Sequence, residues 1–291
     1  MSRLDSSTRT ASELLFETYL QRNGLTEWEF EPNWSGNRKK PDYLLRWNGK
    51  ELLFEVKERR SGKEPVNGHF NPYEGIRRKI KKACEQFKEF KEFKDECCSL
   101  VIANQGDPHT LLAPEFVFGA MLGDPGFTFP ILNADHSDDF EEGPSIFLPT
   151  RNARMVTWDR RTYKNTTIAA IIVLERVRLR NAVFERLLEQ AVCKEELDRG
   201  RPLSPREPAV IAWKLTQEWH DGERGPLHQE APRVRICENP GATLPFPRDV
   251  FCGPYDERWA IVDEYLAPVY AGVRVREIEA SSVSEEICFP T

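Results

Sequence analysis

The sequence predicts a mixed α/β fold in which helices flank a central sheet. Residues 41–58 contain two hydrophobic runs joined by Asn48-Gly49, a dipeptide typical of a tight antiparallel hairpin because both residues tolerate positive φ. A helical periodicity over residues 73–95 follows, and then the apolar run 98–104, which has the composition of a buried strand. A hairpin followed by a helix and another strand indicates a mixed sheet.

Further elements extend this pattern on both sides of the hairpin. Residues 11–23 have the period of an amphipathic helix that ends at Gly24, and residues 27–32 alternate as a short strand does. The β-branched run 166–179 predicts another core strand, and residues 181–200 predict an amphipathic helix.

The C-terminal third of the chain is rich in proline. Residues 201–256 are predicted to be irregular for this reason, and the residues after them are predicted to form one helix and one edge strand. We therefore expect a core domain at 8–180 and a helical, Pro-rich extension at 181–291 that packs on the core.

The composition indicates whether the protein is globular, membrane-spanning or secreted. The 291 residues are 40% hydrophobic, which is enough for a sizeable core, and no run of eighteen apolar residues predicts a membrane span. The N-terminus lacks the order of a secretion signal, and the seven cysteines lack metal-ligand spacing. These features predict a cytoplasmic protein with no membrane partner.

The charge is unevenly distributed along the chain. The net charge is −6, but residues 34–94 carry seventeen Lys and Arg against nine Asp and Glu. A basic region on an otherwise acidic protein is typical of a surface that binds a polyanion.

The hairpin brings three charged side chains together. Residues i and i+2 of a strand face the same side, so Glu55 and Lys57 project together while Val56 faces the other way. With the turn at Asn48-Gly49, Asp42 is expected to lie directly across from Glu55.

Two carboxylates placed opposite each other repel, and a cation between them relieves the repulsion. Magnesium usually takes one or two carboxylates together with water and substrate phosphate, and the backbone carbonyl of Val56 is a further candidate ligand. The ammonium of Lys57 can polarise an attacking water and offset charge on phosphate. Asp42, Glu55 and Lys57 are therefore suited to phosphodiester hydrolysis.

These residues resemble the motif of the PD-(D/E)xK nucleases, a superfamily that includes restriction endonucleases, Holliday-junction resolvases and Mrr-type enzymes. The pattern here is Pro41-Asp42 followed by Glu55-Val56-Lys57, and the resemblance covers about residues 10–105. It implies a restriction-endonuclease-like core, with Asp42, Glu55 and Lys57 as catalytic residues and Mg²⁺ or Mn²⁺ as cofactor.

The resemblance also indicates accessory residues on the flanking helices. Members carry an acidic residue on the helix before the hairpin, which corresponds here to Glu13. The resemblance implies that Glu13 is a further catalytic residue and metal ligand, which assists a second metal ion or orients water, and Glu17 is its rival for this role. Some branches carry a glutamine on the following helix, as at Gln86, with a tyrosine four residues later. This chain has Phe90 there, so a solvent-facing Gln86 is the favoured interpretation.

Basic residues near the hairpin are the candidates for binding nucleic acid. They are Lys39, Lys40, Arg59, Arg60, Lys63, Arg77, Arg78 and Lys81, and His69 is a weaker candidate for contact with substrate. The predicted function is a Mg²⁺-dependent DNA endonuclease, acting by itself or as the nuclease subunit of a multi-protein system such as antiviral defence. RNA as the substrate and a homodimer remain open. The alternative is a catalytically inactive nucleic-acid-binding or structural module with the same fold.

Overall fold

The computed structural model describes residues 9–32, 40–59, 71, 73–88, 96–104, 112–127, 145–148, 153–157, 162–204 and 206–272. The helices in these ranges are α1 (Ala11–Arg22), α2 (Glu74–Lys88), α3 (Pro114–Leu122), α4 (Ala182–Arg199) and α5 (Glu207–Asp221). The first five strands are β1 (Trp28–Phe30), β2 (Tyr43–Trp47), β3 (Lys50–Arg59), β4 (Cys97–Asn104) and β5 (Asp124–Phe127). The remaining strands are β6 (Ser145–Leu148), β7 (Ile168–Arg180), β8 (His228–Glu238), β9 (Glu257–Val262) and β10 (Tyr265–Ala271).

Eight of these strands form one mixed sheet in the order β1-β2-β3-β4-β7-β8-β9-β10, and β5 pairs with β6. The β2–β3 pair is antiparallel, whereas β3, β4 and β7 run parallel to one another. The predicted mixed α/β class is therefore confirmed. No helix in the described ranges has the length and apolar character that a membrane span requires.

The hairpin forms as predicted. Asn48 has φ 50° and Gly49 has φ 75°, so both turn residues are in the left-handed region that a two-residue hairpin turn requires. The predicted register is confirmed, because Tyr43 pairs with Phe54 and Trp47 pairs with Lys50. Asp42, which immediately precedes β2, is thereby brought beside Glu55.

Gly49→Ala is expected to lower the free energy of unfolding by about 1 kcal/mol, because an L side chain is strained at positive φ. No atom lies close to the position of the added Cβ, so the cost comes from the backbone. Gly75→Ala is the matched control: its Cβ also meets open space, but its φ is not positive. Urea unfolding measures both, and equal stabilities of the two variants would contradict the prediction.

The two faces of the sheet are covered by different helices. Tyr43 and Phe54 pack against Phe16 of α1, with ring centroids 5.2 and 5.4 Å from that of Phe16. Leu53, one residue before Phe54, belongs instead to the cluster that contains Ile80 of α2. Since alternate residues of β3 share a face, Glu55 and Lys57 follow Leu53 on the α2 side of the sheet.

The predictions for the C-terminal third are wrong in two places. Residues 207–221 form α5 and residues 228–238 form β8, where irregular structure was expected. The predicted terminal helix is instead a strand of the hairpin β9–β10, whose turn residues Asp263 and Glu264 both have positive φ. The alternating burial of β9 is the two-residue period of a strand.

The described residues divide into two compact units. One contains the chain up to Glu175 together with Pro232–Gly272, and the other contains Arg176–Ala231. Residues 232–272, predicted to be part of the extension, belong to the unit that carries the hairpin. In the second unit, Phe184 of α4 and Trp219 of α5 pack edge to face at 5.5 Å.

Candidate functional site

Asp42 is fixed to the neighbouring strand by a hydrogen bond. The backbone N–H of Val56 donates to its Oδ2 at 2.7 Å. This contact holds the carboxylate at the end of the hairpin, beside the residues that flank Val56 in β3.

Lys57 lies between the two carboxylates of the hairpin. Its Nζ is 3.9 Å from Oδ2 of Asp42 and forms an ion pair with Oε1 of Glu55. The structure therefore brings together all three residues of the predicted triad. The ammonium occupies a place where it compensates two negative charges at once.

Burial leaves the two carboxylates only partly compensated. The Glu55 side chain is 1% exposed, and burial followed by the charge of Asp42 raises the pKa of Glu55 to about 7. Burial raises the pKa of Asp42 to about 6, against the lowering effects of Lys57 and the Val56 N–H. The nearby charge of Glu13 contributes to the increase. Near neutral pH, both carboxyl groups are therefore stabilised when they bind a proton or an additional cation.

Gln86 of α2 completes the surroundings of Glu55. Its Nε2 donates to Oε2 of Glu55 and to the backbone oxygen of Lys40, the latter at 2.8 Å. The favoured prediction that Gln86 faces solvent is wrong, because the side chain is half-buried and its amide is directed at Glu55 and Lys40. Lys57 and Gln86 together engage both oxygens of Glu55 and fix its orientation.

Glu13 has a structural role in α1. Its Oε2 accepts a hydrogen bond of 2.6 Å from the backbone N–H of Thr10, and its own N–H donates to Thr10 Oγ1. This reciprocal pair is a capping box, which satisfies backbone donors at the helix start. The rival residue Glu17 forms an ion pair with Arg9 and accepts a hydrogen bond of 3.0 Å from the hydroxyl of Tyr43.

Glu13, which was predicted to be a metal ligand, is therefore not assembled with Asp42 and Glu55 into one metal site. Within the described ranges, no group of three or more His, Cys, Asp or Glu residues is arranged to hold a metal ion. Two carboxylates remain, which is within the one or two that protein-bound Mg²⁺ commonly uses. The Val56 carbonyl, predicted as a further ligand, lies in the backbone between Glu55 and Lys57.

Arg77 is a correction to the predicted nucleic-acid surface. It is 2% exposed and lies over the ring of Tyr73, with its guanidinium 4.9 Å from the ring centroid. Its Nη2 donates to the backbone oxygen of Gly119 at 3.3 Å and contacts Asp124 at 3.4 Å. Its charge is thus used inside the fold and does not reach a polyanion outside it.

Arg78 and Lys81 lie on the exposed side of α2, where both positive charges are already paired. Each has a partner one turn away on the same helix: Glu74 is 3.7 Å from Arg78, and Glu85 is 3.7 Å from Lys81. Lys40 and Arg59 are half-buried near the hairpin. Lys39, Arg60, Lys63 and His69 fall outside the described residues.

Comparisons with protein-family models, with curated proteins and with solved structures find no match to this chain. What the site can do chemically is therefore inferred from its own groups. Asp42 and Glu55 offer hard oxygen donors whose mutual repulsion favours a divalent cation, and Lys57 supplies an ammonium beside them. This donor set fits Mg²⁺ or Mn²⁺ together with a phosphate substrate.

Proposed function

We propose that this protein is a divalent-metal-dependent nuclease that hydrolyses DNA phosphodiester bonds, with a core of the restriction-endonuclease-like type. The observation that carries the proposal is the meeting of Asp42, Glu55 and Lys57 on one face of the hairpin. This set has the residue types and chain order of the PD-(D/E)xK motif. A stand-alone enzyme and the nuclease subunit of a larger assembly are both compatible with it.

In this proposal Asp42 and Glu55 would hold Mg²⁺ or Mn²⁺, with the Val56 carbonyl as a candidate further ligand. The bound ion would lower the pKa of water and stabilise negative charge on the phosphate oxygens. Because the N–H of Val56 and the amide of Gln86 hold the two carboxylates, both are oriented before substrate arrives.

Lys57 stabilises the charge that develops on the phosphate. Its side chain is 33% exposed, so it can contact substrate while it remains beside the carboxylates. Water attacks phosphorus, the bond from phosphorus to the 3′ oxygen breaks, and a proton passes to that oxygen. The products are a 5′-phosphate and a 3′-hydroxyl.

The proposal is tested by incubating supercoiled, linear and single-stranded DNA with the full chain in Mg²⁺, Mn²⁺ or EDTA. Cleavage is expected with either ion and not in EDTA, and Asp42→Ala is expected to lose it because one of the two carboxylate donors is removed. DNA binding without cleavage in either ion, with Lys57→Ala indistinguishable from the wild type, would contradict the nuclease and favour an inactive binding module.

A further inference from the structure

One side of α2 carries lysines in a row that extends away from the candidate active site. Lys79 and Gln86 are seven residues apart and lie within about 20° of one another around the helix axis. Lys82 lies between them in sequence and projects within about 60° of Lys79. Because the Gln86 amide contacts Glu55, this side of the helix faces the part of β3 that carries the candidate active site.

The matching side of β3 is also basic. Arg59 and Lys57 share a face with Glu55, since alternate strand residues do. β3 and β4 are parallel, so the connecting α2 runs back along them in the opposite direction. Along β3, Arg59 lies about 13 Å beyond Glu55. In the same direction along α2, Lys79 lies about 10 Å beyond Gln86. The two rows of cations therefore run side by side.

The charge environment of Lys79 agrees with this placement. Burial lowers its pKa, and the next contributions come from the positive charges of Arg59, Arg78, Lys82 and Lys57. In the described part of the chain, no carboxylate lies within ion-pair distance of Lys79. Half-buried Lys79 thus remains among like charges, an arrangement that a bound polyanion would stabilise.

We propose that Lys57, Arg59, Lys79 and Lys82 form a phosphate track that holds the backbone of a nucleic-acid strand as it leaves the cleavage site. The proposal deepens the proposed function, on which it rests for the position of the cleaved bond. Lys79 is its central residue, because it is half-buried in the helix row and lies near the positive charges of the strand row. The track differs from the surface expected from the sequence, which included Lys81 and Arg77 but neither Lys79 nor Lys82.

The chain offers a matched control for Lys79. Lys81 is on the same helix and carries the same charge, but it lies about 200° around the axis from Lys79 and pairs with Glu85. Lys79→Ala and Lys81→Ala change the net charge equally. Any difference between them in DNA binding therefore reports position and not overall charge.

Binding of fluorescently labelled DNA is measured in EDTA, where a metal-dependent nuclease does not cleave, across a range of salt concentrations. Lys79→Ala is expected to weaken binding about tenfold at low salt and to reduce the slope of log K against log salt by about 1. Lys79→Arg is expected to retain binding, and Lys81→Ala to change it less than about twofold. Thermal melting verifies that each variant is folded.

Equal losses for Lys79→Ala and Lys81→Ala, or no loss for Lys79→Ala, would overturn the phosphate track. So would absence of DNA binding by the wild type in EDTA. Failure of the nuclease proposal gives a different result. In that case the wild type binds DNA and Lys79→Ala weakens the binding, but neither Mg²⁺ nor Mn²⁺ produces cleavage.

Discussion

Glu55→Gln is expected to reduce Mg²⁺-dependent DNA cleavage by about 10³-fold or more. The substitution keeps the shape of the side chain but removes one of the two carboxylate charges proposed to hold the metal. Gln86 and Lys57 donate hydrogen bonds to the two carboxylate oxygens of Glu55. The amide introduced at position 55 has one oxygen acceptor in place of two. Initial rates on supercoiled DNA at saturating Mg²⁺ measure the loss.

Glu51→Gln is the matched control for this substitution. Glu51 lies on the same strand and the same face as Glu55, but its side chain is 38% exposed and its partner is Arg46 at 3.2 Å. The same chemical change there is expected to alter the cleavage rate by less than about twofold. Comparable activities of the two variants would remove Glu55 from the proposed mechanism.

The second large effect is a decrease in the free energy of unfolding as pH rises. The raised pKa values of Asp42 and Glu55 mean that the folded chain keeps protons that the unfolded chain has lost, so stability falls as pH rises. The decrease begins near the ordinary carboxyl range and is complete above about 7, the pKa of Glu55. For Glu55 it amounts to about 3 kcal/mol.

Urea unfolding between pH 5 and pH 8 measures this dependence. The wild type is expected to lose more stability over that interval than Glu55→Gln, which has no proton to release at position 55. Mg²⁺ is expected to stabilise the wild type more at pH 8 than at pH 5, because the ion competes with protons for the same oxygens. Superimposable pH profiles for the two proteins, with no response to Mg²⁺, would contradict both the raised pKa and the metal site.

The hairpin and its three charged residues were predictable because they depend on local rules. The Asn48-Gly49 turn fixes the register, and the two-residue period of a strand then decides which side chains meet. These steps need no knowledge of the rest of the fold, so Asp42 and Lys57 could be placed from the sequence.

The misplaced residues depend on how helices lie against the sheet. Gln86 and Arg77 occupy one helix, and the sequence does not show that one reaches Glu55 while the other is buried against the ring of Tyr73. Both positions follow from the rotation of α2 on the sheet, which long-range packing determines. The density of proline similarly concealed α5, which tolerates Pro208 in its first turn, where the missing N–H has no intrahelical partner.

The hydrogen bond from Val56 to Asp42 makes the connection between the two strands part of the site. A shift of one residue between the strands would turn Glu55 and Lys57 to the opposite face of the sheet and leave Asp42 beside a different backbone amide. The length of a surface turn, a feature that usually tolerates insertion, is therefore constrained here as strictly as the side chains it aligns. Variation in related chains is expected to spare the two-residue connection even where its neighbours on the surface change.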